Sequence, residues 1–194
     1  MDVIEPEDPE DFIMNGLLIL YRFFWRNLQR AFYDLQLPAG EVLAYLADRL
    51  AYFARTDHLY RIKALPEWKI ETVVETLLEL ETARREKPEF AAGDEALVRR
   101  HIGDFTLFMT GIFREYVSHL GIVDFYMLEG ARSYRRVFEL TKGDLGDKAA
   151  VFLQLSQGFE RYSGALDYMK KVYFYYEPVD SQIQVVLEGL RSWN

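Results

Sequence analysis

Apolar side chains recur at intervals of three or four residues along most of the chain, which is the spacing of one face of an α-helix. No stretch alternates apolar and polar residues as a half-buried strand would. The pattern is strongest over residues 94–120, where the recurring positions are Leu97, His101, Phe105, Phe108, Ile112, Tyr116 and Leu120. A helix that is apolar on most of its circumference belongs inside a fold. We therefore expect this helix to be central, with the others packed around it.

The same spacing, together with the positions of proline and glycine, divides the rest of the chain into further helices. We predict helices at about 12–35, 38–55, 66–87, 124–140, 147–176 and 181–193, with the polar run 141–147 as a loop. Residues 1–11 are acidic and contain two prolines, and we interpret them as a flexible leader. The prediction is an all-α fold, a single-domain bundle of six or seven helices over residues 12–194. Within it, the segments 124–140 and 147–176 form a helical hairpin.

Length and charge narrow the classes of function. The chain has 194 residues, which fits one domain, and its net charge is −8. A nucleic-acid-binding protein needs a surplus of Lys and Arg for phosphate contacts, so we expect no nucleic-acid partner. The absence of cysteine excludes disulfides and thiolate metal sites and fits a cytoplasmic protein. The most apolar early run, residues 12–21, is far shorter than the ~20 residues that span a bilayer, so a membrane protein is not expected.

The histidines are candidate metal ligands, but their spacing argues against a metal site. His101 and His119 lie about five turns apart on one predicted helix, so they cannot bind one ion together. A carboxylate-bridged di-iron bundle requires Glu-x-x-His on two helices, and this motif does not occur. No phosphate-binding loop, dinucleotide-binding motif or catalytic serine motif is present either. We therefore expect no metal and no cofactor, and the sequence leans against an enzyme.

Asp104 is the most informative polar residue, because it falls within the most apolar predicted helix. A buried carboxylate without partners is unfavourable, so this side chain should be paired with a cation. Arg100 lies one turn earlier, and Arg132 and Arg135 on the predicted helix 124–140 are candidates from across the packing. The pair is either structural or a polar anchor in a ligand pocket. The residues that would line such a pocket are His101, Asp104, Tyr126, Arg132 and Tyr134.

Small residues suggest where helices 94–120 and 124–140 meet. Gly103 and Gly111 fall on one flank of the first helix, and Gly130 lies between Tyr126 and Tyr134 on the second. Such gaps admit either a neighbouring helix or a ligand, and close packing is the simpler interpretation. Nearby, the arginines at positions 132, 135 and 136 form a basic cluster that resembles a weak anion site or a solvated helix face.

The predicted helix 12–35 carries more apolar surface than one neighbouring helix would cover. Aromatic residues and arginine are enriched at protein interfaces, so this helix is the expected contact surface. Its candidate interface residues are Leu17, Tyr21, Phe24, Trp25 and Leu28.

These features favour a non-catalytic helical protein that acts through self-association as a homo-oligomer, or through a protein partner. The alternative is a small-molecule-binding protein or enzyme with a pocket between helices 94–120 and 124–140. A third possibility, in which helix 12–35 lies on a membrane surface, is disfavoured by the net negative charge.

Two motifs carry a resemblance to known proteins. They read Gly103-Asp104-x-x-Leu107-Phe108-x-x-Gly111-x-Phe113, followed by Tyr126-x-x-x-Gly130-x-x-x-Tyr134. Together they resemble a family of uncharacterised bacterial all-helical proteins, over about 30 residues. The resemblance implies a bacterial cytoplasmic protein, and it assigns no catalytic residue.

Overall fold

Helices form all the regular structure in the described part of the chain. The computed structural model describes residues 9–54 and 92–174, together with 73, 77, 78, 82, 183, 184, 187 and 188. The α-helices are α1 (Pro9–Asp34), α2 (Glu41–Ala54), α3 (Ala92–Ile112), α4 (Arg114–His119), α5 (Val123–Leu145), α6 (Ala150–Gln157) and α7 (Phe159–Tyr173), and Gly146–Ala149 forms a 3-10 helix. The predicted all-α fold is confirmed.

Helix α3 is the centre of the bundle, as its sequence predicts. It packs along α5 and α7 and also contacts α2 and α4, while α1 packs on α2 and α7. Phe105, Phe108 and Ile112 are buried in one continuous core. The first positions of the predicted apolar face are exceptions, because Leu97 is 65% exposed and His101 is also exposed. The core therefore covers the second half of α3 and leaves one side of its first turns in solvent.

The predicted helix 94–120 is interrupted near its end. Helix α3 ends at Ile112, Phe113 adopts φ −110° and ψ 34°, and α4 continues from Arg114 to His119. Hydrogen bonds still cross the interruption, because the amide of Phe113 donates to Met109 and that of Val117 donates to Phe113. The prediction of one continuous helix is therefore wrong, and the chain forms two helices joined at a kink.

The predicted loop 141–147 is largely helical. Helix α5 runs to Leu145, and the hydroxyl of Thr141 donates to the carbonyl of Val137 at 2.8 Å. The polar residues of this stretch lie on solvated turns of the helix, so their polarity does not end it. Gly146 ends it, because its φ of +55° is a conformation that favours glycine.

The second arm of the predicted hairpin is also divided. Helices α6 and α7 meet at Gly158, where an added Cβ would lie 2.8 Å from the ring of Tyr162. Helix α6 packs on α5, as a hairpin requires, whereas α7 packs mainly on α3 and α1. The glycine thus allows the second arm to bend away from α5 and cover the central helix.

The structure describes the N-terminal part of the chain from Pro9 onwards, and it describes the stretch between α2 and α3 and the part after α7 only at single positions. Helix α1 begins at Pro9, so residues 9–11 belong to the helix and not to the predicted leader. Proline suits a first helical turn, and the following carboxylates suit the positive end of a helix. The rest of the leader, the segment 56–65, and most of the predicted helices 66–87 and 181–193 lie outside the described residues. Within the described residues, no helix is long and apolar enough to cross a membrane.

Glycines bring α5 and α7 close to α3. A Cβ at Gly103 would lie 2.9 Å from the ring of Tyr134, and one at Gly111 would lie 2.6 Å from Leu166. At Gly130 it would lie 2.3 Å from the ring of Phe159. These gaps are filled by neighbouring side chains, so the close-packing interpretation is confirmed and they leave no ligand notch.

Candidate functional site

Asp104 accepts hydrogen bonds from two phenols inside the bundle. The hydroxyl of Tyr45 on α2 lies 2.5 Å from Oδ1 of Asp104, and that of Tyr134 on α5 lies 2.9 Å from the same oxygen. Asp104 is on α3 and only 6% exposed. One carboxylate oxygen therefore links three helices that are distant in the sequence.

Two arginines lie on the other side of this carboxylate. Nε of Arg100 is 3.7 Å from Oδ2 of Asp104, and Nη1 of Arg49 is 3.9 Å from it. Arg100 also donates to the hydroxyl of Tyr45 at 3.1 Å, and its guanidinium lies over the Tyr45 ring. Both arginine side chains remain partly exposed. The predicted Asp104–Arg100 pair is thus confirmed, with Arg49 as a second cation.

Burial dominates the acidity of the cluster. It raises the pKa of Asp104 to about 6, although the two phenols and the two arginines each favour the charged form. Burial and the neighbouring carboxylate also raise the pKa of Tyr45 and of Tyr134, so both phenols stay protonated as donors. The cluster is therefore a set of stable donors around one carboxylate that is costly to ionise.

Little space remains beside Asp104. The adjoining cavity measures about 10 Å³ and is bordered by Arg49, Phe53, Phe108 and Leu166 among other side chains. That volume is roughly the space of one water molecule, whereas ligand pockets occupy several hundred cubic ångströms. Within the described part of the chain, this polar cluster holds α2, α3 and α5 together, and the cavity beside it is too small for a substrate.

The five predicted pocket residues do not converge on one site. Of these, Asp104 and Tyr134 are in contact, whereas His101 lies on the exposed side of α3. Tyr126 is fully buried, packs on aromatic rings, and has no hydrogen-bond partner for its hydroxyl within the described residues. Arg132 points to solvent and pairs with Glu129 at 2.8 Å.

Arg132 and Arg135 are not partners of Asp104. Each instead pairs with a glutamate of its own helix, Arg135 with Glu139 at 3.2 Å. Both side chains are more than half exposed, whereas Asp104 is buried, so this part of the prediction is wrong.

Sequence reasoning did not identify Tyr45 and Arg49. A signal was present, because these two residues are four apart and lie beside the buried Leu46 and Leu50 on α2. A hydroxyl at the edge of a buried helix face favours a polar partner in the interior, and Asp104 supplies it for Tyr45. Arg49 hydrogen-bonds to its exposed neighbour Asp48 and lies 3.9 Å from Asp104.

The predicted interface on α1 is partly enclosed by the bundle itself. Phe24 and Leu28 have no exposed surface, so their prediction as partner contacts is wrong. Both lie on the side of α1 that faces the core, where the helix needs them for packing. Leu17, Tyr21 and Trp25 are half-buried at its edge, and their contact with a partner stays a prediction.

A groove of about 750 Å³ runs along the outer face of α5, and we call it the arginine groove. Among the described lining residues, the positive charges come from Arg99 on α3 and from Arg132, Arg135 and Arg136 on α5. The other described lining residues are Leu128, Ala131, Glu129 and Glu139 of α5, Ser156 of α6, and Leu77. The groove contains the predicted basic cluster, and it is far larger than the cavity beside Asp104.

The four arginines of the groove differ in how firmly they are held. Arg136 donates to both carboxylate oxygens of Glu95, at 2.7 and 3.2 Å, and that glutamate is buried. Arg132 and Arg135 have more than half of their side chains exposed. Nε of Arg99 is buried and has no hydrogen-bond partner within the described part of the chain. Arg136 is therefore structural, while the other three can contact a ligand.

The described residues bring together no three His, Asp or Glu side chains that could hold a metal ion. A ring nitrogen of His119 lies 2.7 Å from the carbonyl oxygen of Glu115, and the carboxylate of that glutamate pairs with Lys170 and Lys171. These groups are thus engaged in contacts within the chain.

Comparisons of the chain with protein-family models, with curated proteins and with solved structures found no match. The resemblance to a bacterial helical family therefore stays a prediction.

Proposed function

We propose that this chain is a non-catalytic binding protein and that the arginine groove is its contact surface for the acidic groups of a protein partner. The observation that carries the proposal is the contrast between the two polar regions. The carboxylate of Asp104 lies beside a cavity of about 10 Å³, whereas the arginine groove measures about 750 Å³ and has four arginines among its described lining residues. A reaction at Asp104 would lack space for a substrate, whereas the arginine groove has space for a ligand.

The ion pairs already present in the groove support an exchangeable site. Arg135 and its partner Glu139 are both exposed, and this pair contributes only about 0–1 kcal/mol, so an incoming carboxylate can replace Glu139 there at little cost. Arg132 is 63% exposed, whereas the side chain of its partner Glu129 is only 12% exposed, so this pair is expected to persist. Arg132 reaches Glu129 through Nη1, and its other donors are available to an incoming carboxylate. Guanidinium groups also bind carboxylates with two parallel hydrogen bonds, which adds directional preference.

A second copy of the chain is one partner that fits this proposal. Leu17, Tyr21 and Trp25 keep part of their surface at the edge of α1, and the chain as a whole is acidic. Self-association would then place acidic groups of one copy against the arginines of another. A cytoplasmic location and a bacterial origin belong to the same proposal, supported by the lack of cysteine and by the family resemblance.

A titration with citrate tests whether the groove binds carboxylates. Isothermal titration calorimetry at low ionic strength would compare the wild type with the double variant Arg132→Ala/Arg135→Ala. The matched control is Arg22→Ala/Arg161→Ala, which removes two exposed arginines from α1 and α7. We expect the wild type and the control to bind equally and the groove variant to bind at least about tenfold more weakly, a loss of ~1.4 kcal/mol.

Two results would contradict the proposal. One is the failure of every carboxylate ligand to bind, that is, no saturable binding of a peptide with several glutamates and none of citrate up to about 10 mM, where the binding free energy would be weaker than about −3 kcal/mol. The other is equal weakening in the groove variant and in the control, which would indicate a non-specific effect of net charge.

A further inference from the structure

The shape of the arginine groove suits a chain segment better than a small molecule. Leu128, Arg132, Arg135 and Glu139 follow one another at helical spacing along α5, and all line the groove. The distance along the helix axis from the first to the last is about 16 Å, at 1.5 Å per residue. Small-molecule sites enclose most of the ligand surface, whereas a strip of this length on the outside of a helix leaves one side open.

The charges in the groove favour single carboxylates over a phosphate. Glu95 neutralises Arg136, and Glu129 and Glu139 remain in the lining beside the other three arginines. Among the described lining residues, the surplus of positive charge is therefore small, within a chain of net charge −8. A phosphate dianion would meet both glutamates at close range. A carboxylate of a flexible side chain carries half the charge and can approach one arginine at a time.

The groove also offers apolar contact. Leu128 is 49% exposed at one end of the strip, and Ala131 and Leu77 are half-buried in the lining. The two exposed arginines, Arg132 and Arg135, are three residues apart on one helix, so their Cβ atoms are about 5–6 Å apart. A matching ligand has two carboxylates at a similar spacing and an apolar side chain that lies beside Leu128.

We propose that the arginine groove binds a short acidic peptide segment in which glutamate or aspartate side chains, about one helical turn apart, accompany a leucine-like side chain. The inference rests on the function proposed above and names the chemistry of the partner. Arg132 and Arg135 bind the two carboxylates. Arg99, whose Nε is buried without a partner among the described residues, supports them from the α3 wall.

The test uses a synthetic peptide of glutamate and leucine residues, in which the glutamates are about one helical turn apart. Its ends are acetylated and amidated. Fluorescence anisotropy of a labelled peptide gives its affinity, and competition gives that of unlabelled ligands. The comparison ligands are the same peptide with serine in place of leucine, the same peptide with glutamine in place of glutamate, citrate, and pyrophosphate. Leu128→Ser tests the apolar contact, and Arg22→Ala/Arg161→Ala is again the control, with circular dichroism to show that each variant is folded.

We expect the glutamate–leucine peptide to bind at least about tenfold more tightly than either altered peptide and than citrate. Arg132→Ala/Arg135→Ala should weaken peptide binding at least about tenfold, Leu128→Ser should weaken it severalfold, and the control should leave it unchanged. Restoring charge as Arg132→Lys/Arg135→Lys should recover only part of the affinity, because lysine lacks the paired donors of a guanidinium.

The results that overturn the inference differ from those that overturn the proposed function. If citrate or pyrophosphate binds in the groove as tightly as the peptide, the groove is a site for small anions and the peptide inference fails. The binding function still stands in that case. If neither the peptide nor citrate binds, or if binding is insensitive to Arg132 and Arg135, both proposals fail.

Discussion

Replacing Asp104 by asparagine removes one negative charge from the core and keeps the shape of the side chain. Both Tyr45 and Tyr134 donate to Oδ1, and an amide oxygen in that position can accept both hydrogen bonds. Arg49 and Arg100 lose an attractive partner, but 25% and 35% of their side-chain surface stays exposed, so they retain contact with water. We therefore expect Asp104→Asn to fold, with a stability that differs from the wild type in a pH-dependent way.

The size of the effect follows from the shift in acidity. Burial raises the pKa of Asp104 to about 6 from an ordinary value of 3.8, and each pKa unit corresponds to about 1.4 kcal/mol. The folded protein therefore holds this proton more tightly than the unfolded chain does. The resulting stabilisation of about 3 kcal/mol is fully present below pH 3.8 and is lost as the pH rises through about 6. Of this, about 2 kcal/mol is lost between pH 4.5 and 7.

Urea unfolding of both proteins from pH 4.5 to 7.5 measures this loss, since asparagine does not titrate. We expect the free energy of unfolding of Asp104→Asn, relative to the wild type, to rise by about 2 kcal/mol from pH 4.5 to 7. The exposed Asp144 on α5 provides the control, because Asp144→Asn should change little over the same range. A relative stability of Asp104→Asn that is independent of pH, or that falls as the pH rises, would refute the reasoning. It would mean that the phenols and arginines outweigh burial.

Two further predictions concern packing, and urea denaturation checks both. Phe108→Ala should lower the free energy of unfolding by about 3–5 kcal/mol, and Leu97→Ala, at an exposed position of the same helix, by much less. A loss below about 1 kcal/mol for Phe108→Ala would contradict a central α3. Gly130→Ala should lower the free energy of unfolding by about 1–3 kcal/mol, because the added methyl group would meet the ring of Phe159. Gly143→Ala is the control: its methyl group would meet no atom within 4 Å, and the change should stabilise α5 by roughly 0.5–1 kcal/mol. Equal changes in the free energy of unfolding for the two alanine variants would show that Phe159 does not pack closely against Gly130.

The sequence predicts the fold well where hydrophobic periodicity is sustained. Phe105, Phe108 and Ile112 are buried because they repeat at helical spacing within a long apolar stretch. The same pattern misleads at Leu97, since a helix face is buried only where another helix covers it. Helix ends are harder to predict, because polar residues such as those after Leu140 fit a solvated helix as well as a loop.

The candidate site is less predictable, since its contacts are distant in the sequence. The pairing of Asp104 with Arg100 is visible at four-residue spacing, but Tyr45 is 59 residues from Asp104 and its position depends on how α2 packs. Likewise, 41 residues separate Arg136 from Glu95. The sequence therefore indicates a basic cluster on α5 without showing which of its arginines is committed to a structural pair.

The central claim, that the arginine groove is the binding surface, is tested most directly by observing the arginine side chains during binding. Nuclear magnetic resonance spectra of the Nε–Hε groups, recorded while the glutamate–leucine peptide is added, would report each arginine separately. We expect saturable shifts at Arg132, Arg135 and Arg99, and little change at Arg22 and Arg161. Shifts confined to Arg22 and Arg161, or spread evenly over all the arginines, would contradict the claim.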